Sequence, residues 1–199
     1  REDNPTLEAL TFEIATLVRR RGLGTLDLLG QSLGSIVAAQ LAGHAALDVR
    51  RLLLLCTFTR LRWSLLRVSN AALRVTPEPL FCATAPHVDQ HAAHTVGDGR
   101  AHPLFAASRG SDRDGVRKRT AWEIGRDFAS DLERVRTPTL VVMGKEDRFV
   151  PDASREVTKI SRIFRKCRHE LVVIEGAGHV LLPSHAVSSA SQEITRFLA

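Results

Sequence analysis

The chain has 199 residues, 44% hydrophobic and 25% charged, the size and make-up of one globular domain able to bury a core. Its net charge of +6 comes mostly from arginines scattered along the chain, without the aromatic interleaving or zinc-type spacing of a nucleic-acid binder. No apolar run reaches the ~18 residues of a bilayer span, and three scattered cysteines, Cys56, Cys82 and Cys167, point away from a disulfide framework and toward a reducing, cytoplasmic setting.

Asn4-Pro5 predicts a helix start, a capping residue followed by proline at the first helical position. Leu7, Leu10, Ile14, Leu17 and Val18 recur at helical spacing, and Gly22 and Gly24 stop that helix. Thr25–Leu29 reads as a short strand leading into Gly30, and Leu33–Ala42 as a helix apolar nearly all round, buried against a sheet. Arg51–Cys56, Thr139–Met143 and Leu171–Ile174 are apolar runs of the kind found in strands covered on both faces. A helix with Val157, Ile160 and Phe164 separates the last two runs, and one with Val187, Ala190, Ile194 and Phe197 ends the chain. Strands alternating with helices predict an α/β fold with a mostly parallel sheet flanked by helices.

Residues 57–136 break the alternation. An amphipathic helix carries Leu61, Leu65, Leu66, Ala72 and Leu73; an irregular stretch follows from Thr76 to about Asp114; a second helix carries Trp122, Ile124, Phe128 and Leu132. This segment is expected to be a helical lid inserted into a core made of residues 1–56 and 137–199. His87, Asp89, His91, His94 and His102 fall in its irregular part, where Pro86, Gly97 and Gly99 favour loop over a metal-binding helix, so no metal is expected.

Gly30-Gln31-Ser32-Leu33-Gly34 fits G-x-S-x-G, with a strand entering and a buried helix leaving. That setting places a serine on a sharp turn, its oxygen exposed at a helix N-terminus where backbone N–H groups converge. The two glycines are expected to let strand and helix backbones pass closely. Ser35, one turn along, reads as a packing residue. A serine hydroxyl needs a base, and the base an orienting acid. Asp147 lies just past the Thr139–Met143 strand, with Glu146 and Asp152 as rivals, and His179 lies on the glycine-rich turn after Leu171–Ile174.

With its Ser, Asp, His order on three strand ends, the chain resembles the α/β-hydrolase fold family. The resemblance implies Ser32 as nucleophile, Asp147 as acid, His179 as base and the Leu33 N–H as an oxyanion donor. Gln31, Phe58, Trp63 and Phe149 are candidates to bind substrate, with Phe81, Phe105 and Trp122 as further candidates for the acyl pocket. Family members carry several strands before the elbow strand, and a loop there supplies a second oxyanion N–H. Nothing in residues 1–24 corresponds to it, so residues upstream of Arg1 are expected. Loss of one such donor costs about 10²–10³ in turnover. The Thr25–Leu29 strand would lie at an open sheet edge, which an upstream segment or a homodimer contact would cover.

The expected function is that of a serine hydrolase acting on a small acyl substrate, carboxylic ester-like, through an acyl-enzyme on Ser32, with no cofactor. The same residues serve thioesterases, C–C bond hydrolases, lactonases, peptidases and acyltransferases. The alternative from another class is a catalytically silent scaffold or binding domain.

Overall fold

Four parallel strands in the order β1-β2-β3-β4 form the centre of the computed structural model, which describes residues 6–43, 47–84, 112–181 and 184–199. They are β1 (Leu26–Gln31), β2 (Val49–Leu55), β3 (Thr139–Gly144) and β4 (His169–Ile174). Around them lie α1 (Leu7–Arg20), α2 (Leu33–Ala42), α3 (Trp63–Val75), α4 (Arg113–Glu123), α5 (Ala129–Glu133), α6 (Ala153–Ile163) and α7 (Ser184–Leu198). The expected α/β architecture is therefore present. Because all four strands run the same way, the loops that follow them emerge at one edge of the sheet, where open α/β folds place their sites.

The period of two along each strand divides the interior into two cores. Leu52, Leu54, Val141 and Met143 face one side, where they meet Ile36 and Ala39 of α2, Leu7 and Ala15 of α1, Leu132 of α5 and Ile160 of α6. Leu53, Leu140 and Val142 face the other, against Ala186 and Ala190 of α7. β2 and β3 are central and read as unbroken apolar runs for that reason. Of the two outer strands, β4 differs from the expectation of two covered faces, and β1 is open as an edge strand would be. β1 alternates between covered and open positions, leaving Leu29 56% exposed, because α7 lies over β3 and β4 instead. Val173 of β4 is likewise exposed.

Two local readings change. Asn4 and Pro5 lie outside the described residues, and the side chain that caps α1 is Thr6, which accepts a hydrogen bond from the Ala9 N–H at 3.1 Å. Gly22 does end that helix, in the left-handed region at φ 62°. The expected single helix over Trp122–Leu132 is two. Ile124 is extended at ψ 114° and Gly125 turns left-handed at φ 72°, so α4 ends and α5 starts afresh. Phe128 and Leu132 then turn into the main core. Phe105 and the cluster His87, Asp89, His91, His94 and His102 lie outside the described residues.

Candidate active site

Ser32 sits between the last residue of β1 and the first of α2 with φ 53° and ψ −129°, a left-handed backbone that a non-glycine residue adopts only when its surroundings impose it. Its N–H donates to Leu55 O at 3.0 Å, tying the turn to the end of β2. From the other side, the Ser35 N–H and hydroxyl both donate to the Ser32 carbonyl, at 2.8 and 2.6 Å. The Ser35 hydroxyl also pairs with that of Thr57 at 2.8 Å, and both are fully buried. Ser35 is thus an anchor of the turn as well as a packing residue.

The close approach expected of both glycines falls on one. A Cβ on Gly30 would collide with the carbonyl of Gly34, whereas one on Gly34 would meet open space. The strand must pass under the first helical turn, and the helix has room on its outer side. Leu33 opens α2, so its N–H has no acceptor within the helix and stays available at the serine.

His179 and Asp147 reach the serine from the loops after β4 and β3. The Ser32 Oγ lies 2.7 Å from His179 Nε2, and His179 Nδ1 lies 2.7 Å from Asp147 Oδ2. A carboxylate only accepts, so Nδ1 carries the ring proton and Nε2 turns its lone pair to the serine hydroxyl. The second oxygen of Asp147 accepts from the Phe149 N–H at 2.8 Å, which fixes the carboxylate plane. Both side chains are out of water, His179 at 5% and Asp147 at 6% exposure. Of the rivals of Asp147, Asp152 caps α6 by accepting from Arg155 N–H at 3.0 Å, and Glu146 makes no bond to the histidine.

Two further contacts hold the histidine. The Phe149 ring packs on the imidazole, centroids 4.7 Å apart, and Phe58 lies behind it at 6.3 Å. Gly144, at the end of β3, lies so close to the carbonyls of Ala177 and Gly178 that a Cβ would collide with both. The β3 and β4 loops therefore cross at backbone distance, which brings Asp147 under His179. Sequence reading passed over Gly144, whose signal was a glycine directly after an apolar strand. Cys56, buried nearby, has its thiol pushed up to about 12 by burial and by the charge of Asp147, so it remains a neutral packing group.

A cavity of about 430 Å³ opens beside Ser32 and His179. Its walls come from Leu65, Leu66 and Ala72 of α3, from Val116 of α4, and from Phe81 and Phe149. Of the sequence candidates for substrate contact, Phe149 and Phe81 line this cavity. Phe58 is fully buried against Phe128, their rings edge to face at 5.6 Å. Trp63 is 57% exposed, with the Arg67 guanidinium over its ring. Gln31 ends β1 half-buried, and Trp122 packs against the main core. A second recess of about 550 Å³, between α1, α2 and α5, is lined by Glu8, Gln40, Arg126 and Asp131. It contains no serine or cysteine beside a histidine.

Among the described residues no cluster of His, Cys, Asp and Glu is arranged to hold a metal ion, and no helix is long and apolar enough to cross a membrane.

The profile of the "Alpha/beta hydrolase family" matches residues 2–191. A Rhizobium rhizogenes protein that bears a carbamate hydrolase name, RutD, is 24% identical over 159 residues; the match takes in 75% of this chain and spans 59% of that protein's length. Among solved structures, a hydrolase from Pseudomonas aeruginosa superposes with a TM-score of 0.75 at 24% identity, covering 98% of this chain and 72% of its own. The enol-lactonase from Burkholderia xenovorans gives 0.72 at 15% identity, with 98% and 74% covered. An esterase from Exiguobacterium antarcticum gives 0.75 at 14%, with 98% and 75% covered.

Proposed function

The chain belongs to the alpha/beta hydrolase family, and from that premise we propose that it is a serine hydrolase that passes an acyl group through Ser32 to water. The observation that carries this reading is the unbroken hydrogen-bonded path from Asp147 through His179 to Ser32, two bonds of 2.7 Å ending at a pocket. His179 Nε2 takes the hydroxyl proton as the Ser32 oxygen attacks an acyl carbonyl. The same nitrogen then protonates the leaving group, and the acyl-enzyme is released when His179 takes a proton from an attacking water. Asp147 keeps Nδ1 protonated and offsets the imidazolium charge, a role that needs no proton transfer to the carboxylate. The Leu33 N–H, at the positive end of α2, faces the developing oxyanion and serves as one donor of its hole.

The substrate class is a small, largely apolar acyl compound with a heteroatom leaving group. The mainly apolar lining of the cavity supports this. So do the names of the similar proteins, a carbamate hydrolase, an enol-lactonase and an esterase, each of which implies an acyl carbonyl. α3 and α4 wall the cavity over the serine, and residues 57–136 act as its lid. The cysteines that the structure leaves free, Cys56, Cys82 and Cys167, fit a cytoplasmic setting. No cofactor takes part in these steps. The relatives are longer than this chain.

Incubation with p-nitrophenyl acetate, followed by intact-mass and peptide analysis, tests the reading. An acetyl adduct on Ser32 that is missing in Ser32→Ala is expected. Acetate release with no adduct, and no dependence on Ser32, would favour the silent-scaffold alternative.

A further inference from the structure

We infer that Glu123 selects the substrate, so that the pocket beside Ser32 takes an acyl chain ending in an ammonium group. This deepens the serine-hydrolase reading and rests on it.

Val116, Thr120 and Glu123 follow one another at spacings of four and three along α4, which puts them on one helix face, and all three line the cavity that contains Ser32 and His179. α4 is held in place at its start and its middle. Asp112 caps it by accepting from the Gly115 N–H at 2.7 Å, and Asn70 of α3 donates to Arg117 O at 2.8 Å. The face that carries Glu123 is therefore fixed toward the cavity.

Glu123 is the one charged side chain among the described residues lining that cavity, beside leucines, valines and Phe81. Among the described residues its carboxylate makes no ion pair and accepts no hydrogen bond; it is met only by the more distant charge of Arg119, one turn earlier on the same helix. The nearby cations of α3, Arg67 and Arg74, line a separate recess with Ile124, and His179 is engaged by Asp147 and Ser32. Burial pushes the Glu123 carboxyl up to about 7, the mark of a carboxylate short of a partner. An acyl group with an ammonium at its far end supplies that partner while its methylenes cover the apolar wall. A chain ending in methyl leaves the carboxylate desolvated and unpaired, and sites built around a polar contact discriminate strongly against analogues that lack it.

The test compares the p-nitrophenyl esters of heptanoic acid and of the hexanoic acid bearing a terminal amine, which differ by a methyl in place of an ammonium. They are assayed at about pH 8, where the carboxylate is ionised. The wild-type preference for the amino ester, as a ratio of kcat/KM values, should fall at least about tenfold in Glu123→Gln. The fall should appear in the amino ester's KM. An unchanged ratio overturns the assignment. A measurement on the wild type alone guards against a variant that does not fold: hexylamine should protect Ser32 from a fluorophosphonate at lower concentration than hexanol, and equal protection also overturns it. If Ser32 takes no fluorophosphonate and neither ester is cleaved, the hydrolase reading falls and this inference with it. Labelling with an unchanged ratio removes only the role of Glu123.

Discussion

The hydroxyl of Ser35 donates to the carbonyl of Ser32 at 2.6 Å, so the first turn of α2 holds the left-handed residue that precedes it. With Thr57 on its other side, that hydroxyl ties the turn to the loop after β2. Ser35→Ala removes the anchor and leaves a buried threonine hydroxyl short of a partner. Denaturant unfolding should register a loss of about 1–3 kcal/mol. Because the Ser32 conformation is strained, acylation should slow by more than the Thr57→Ser variant slows it, and equal rates in Ser35→Ala and wild type would show that the helix start does not hold the nucleophile.

The two glycines of the turn should behave differently on substitution. Gly30→Ala places a Cβ against the Gly34 carbonyl, a backbone group that cannot rotate away, and should cost several kcal/mol or prevent folding. Gly34→Ala meets open space inside a helix and should stabilise the chain by about 0.5–1 kcal/mol. Thermal unfolding of the pair checks this, and similar losses in both would contradict the packing described.

Asp147→Asn keeps the shape of the side chain but removes the acceptor that fixes Nδ1 as the protonated nitrogen. Turnover of an activated ester should fall on the order of 10³–10⁴-fold with KM little changed. Unchanged turnover would point to Glu146, the remaining nearby carboxylate.

Glu123 gives a pH dependence of defined sign. Its carboxyl has an ordinary value of 4.5 in the unfolded chain and is raised to about 7 in the folded one. The folded state therefore binds the proton more tightly. The stability this provides is complete below about pH 4.5 and is lost as pH rises to and through 7, with a slope of at most about 1.4 kcal/mol per pH unit. In unfolding free energies measured from pH 5 to 8, Glu123→Gln should lack this downward component. Parallel curves for variant and wild type would show that the carboxyl is not buried as described. The exposed Asp27–Arg50 pair, whose carboxyl is held low by the guanidinium, lies outside this window and contributes little.

Much of this arrangement could be read from residue order because local chemistry and global fold agree. Leu33–Ala42 is apolar on all sides and is a helix over those same residues. The Arg51–Cys56 and Thr139–Met143 runs are central strands, and Ser32, Asp147 and His179 follow three strand ends. What could not be read depends on long-range packing. Phe58 and Phe149 are the same residue type in loops after strands, and only the crossing of chains puts one in the core and the other in the cavity. Glu123 falls inside one expected helix in the sequence, and it faces the cavity only because α4 ends there and packs on α3. The close contact at Gly144 joins residues more than thirty positions apart, a distance that no local pattern encodes.

The proposed role of Ser32, a nucleophile activated by His179, has a direct chemical readout. Reaction with a fluorophosphonate, followed by peptide mass spectrometry, tests it most directly. One phosphonylated residue, Ser32, is expected, with labelling abolished in Ser32→Ala and slowed at least about a hundredfold in His179→Ala. An unlabelled Ser32, or labelling at the same rate without the histidine, would contradict it.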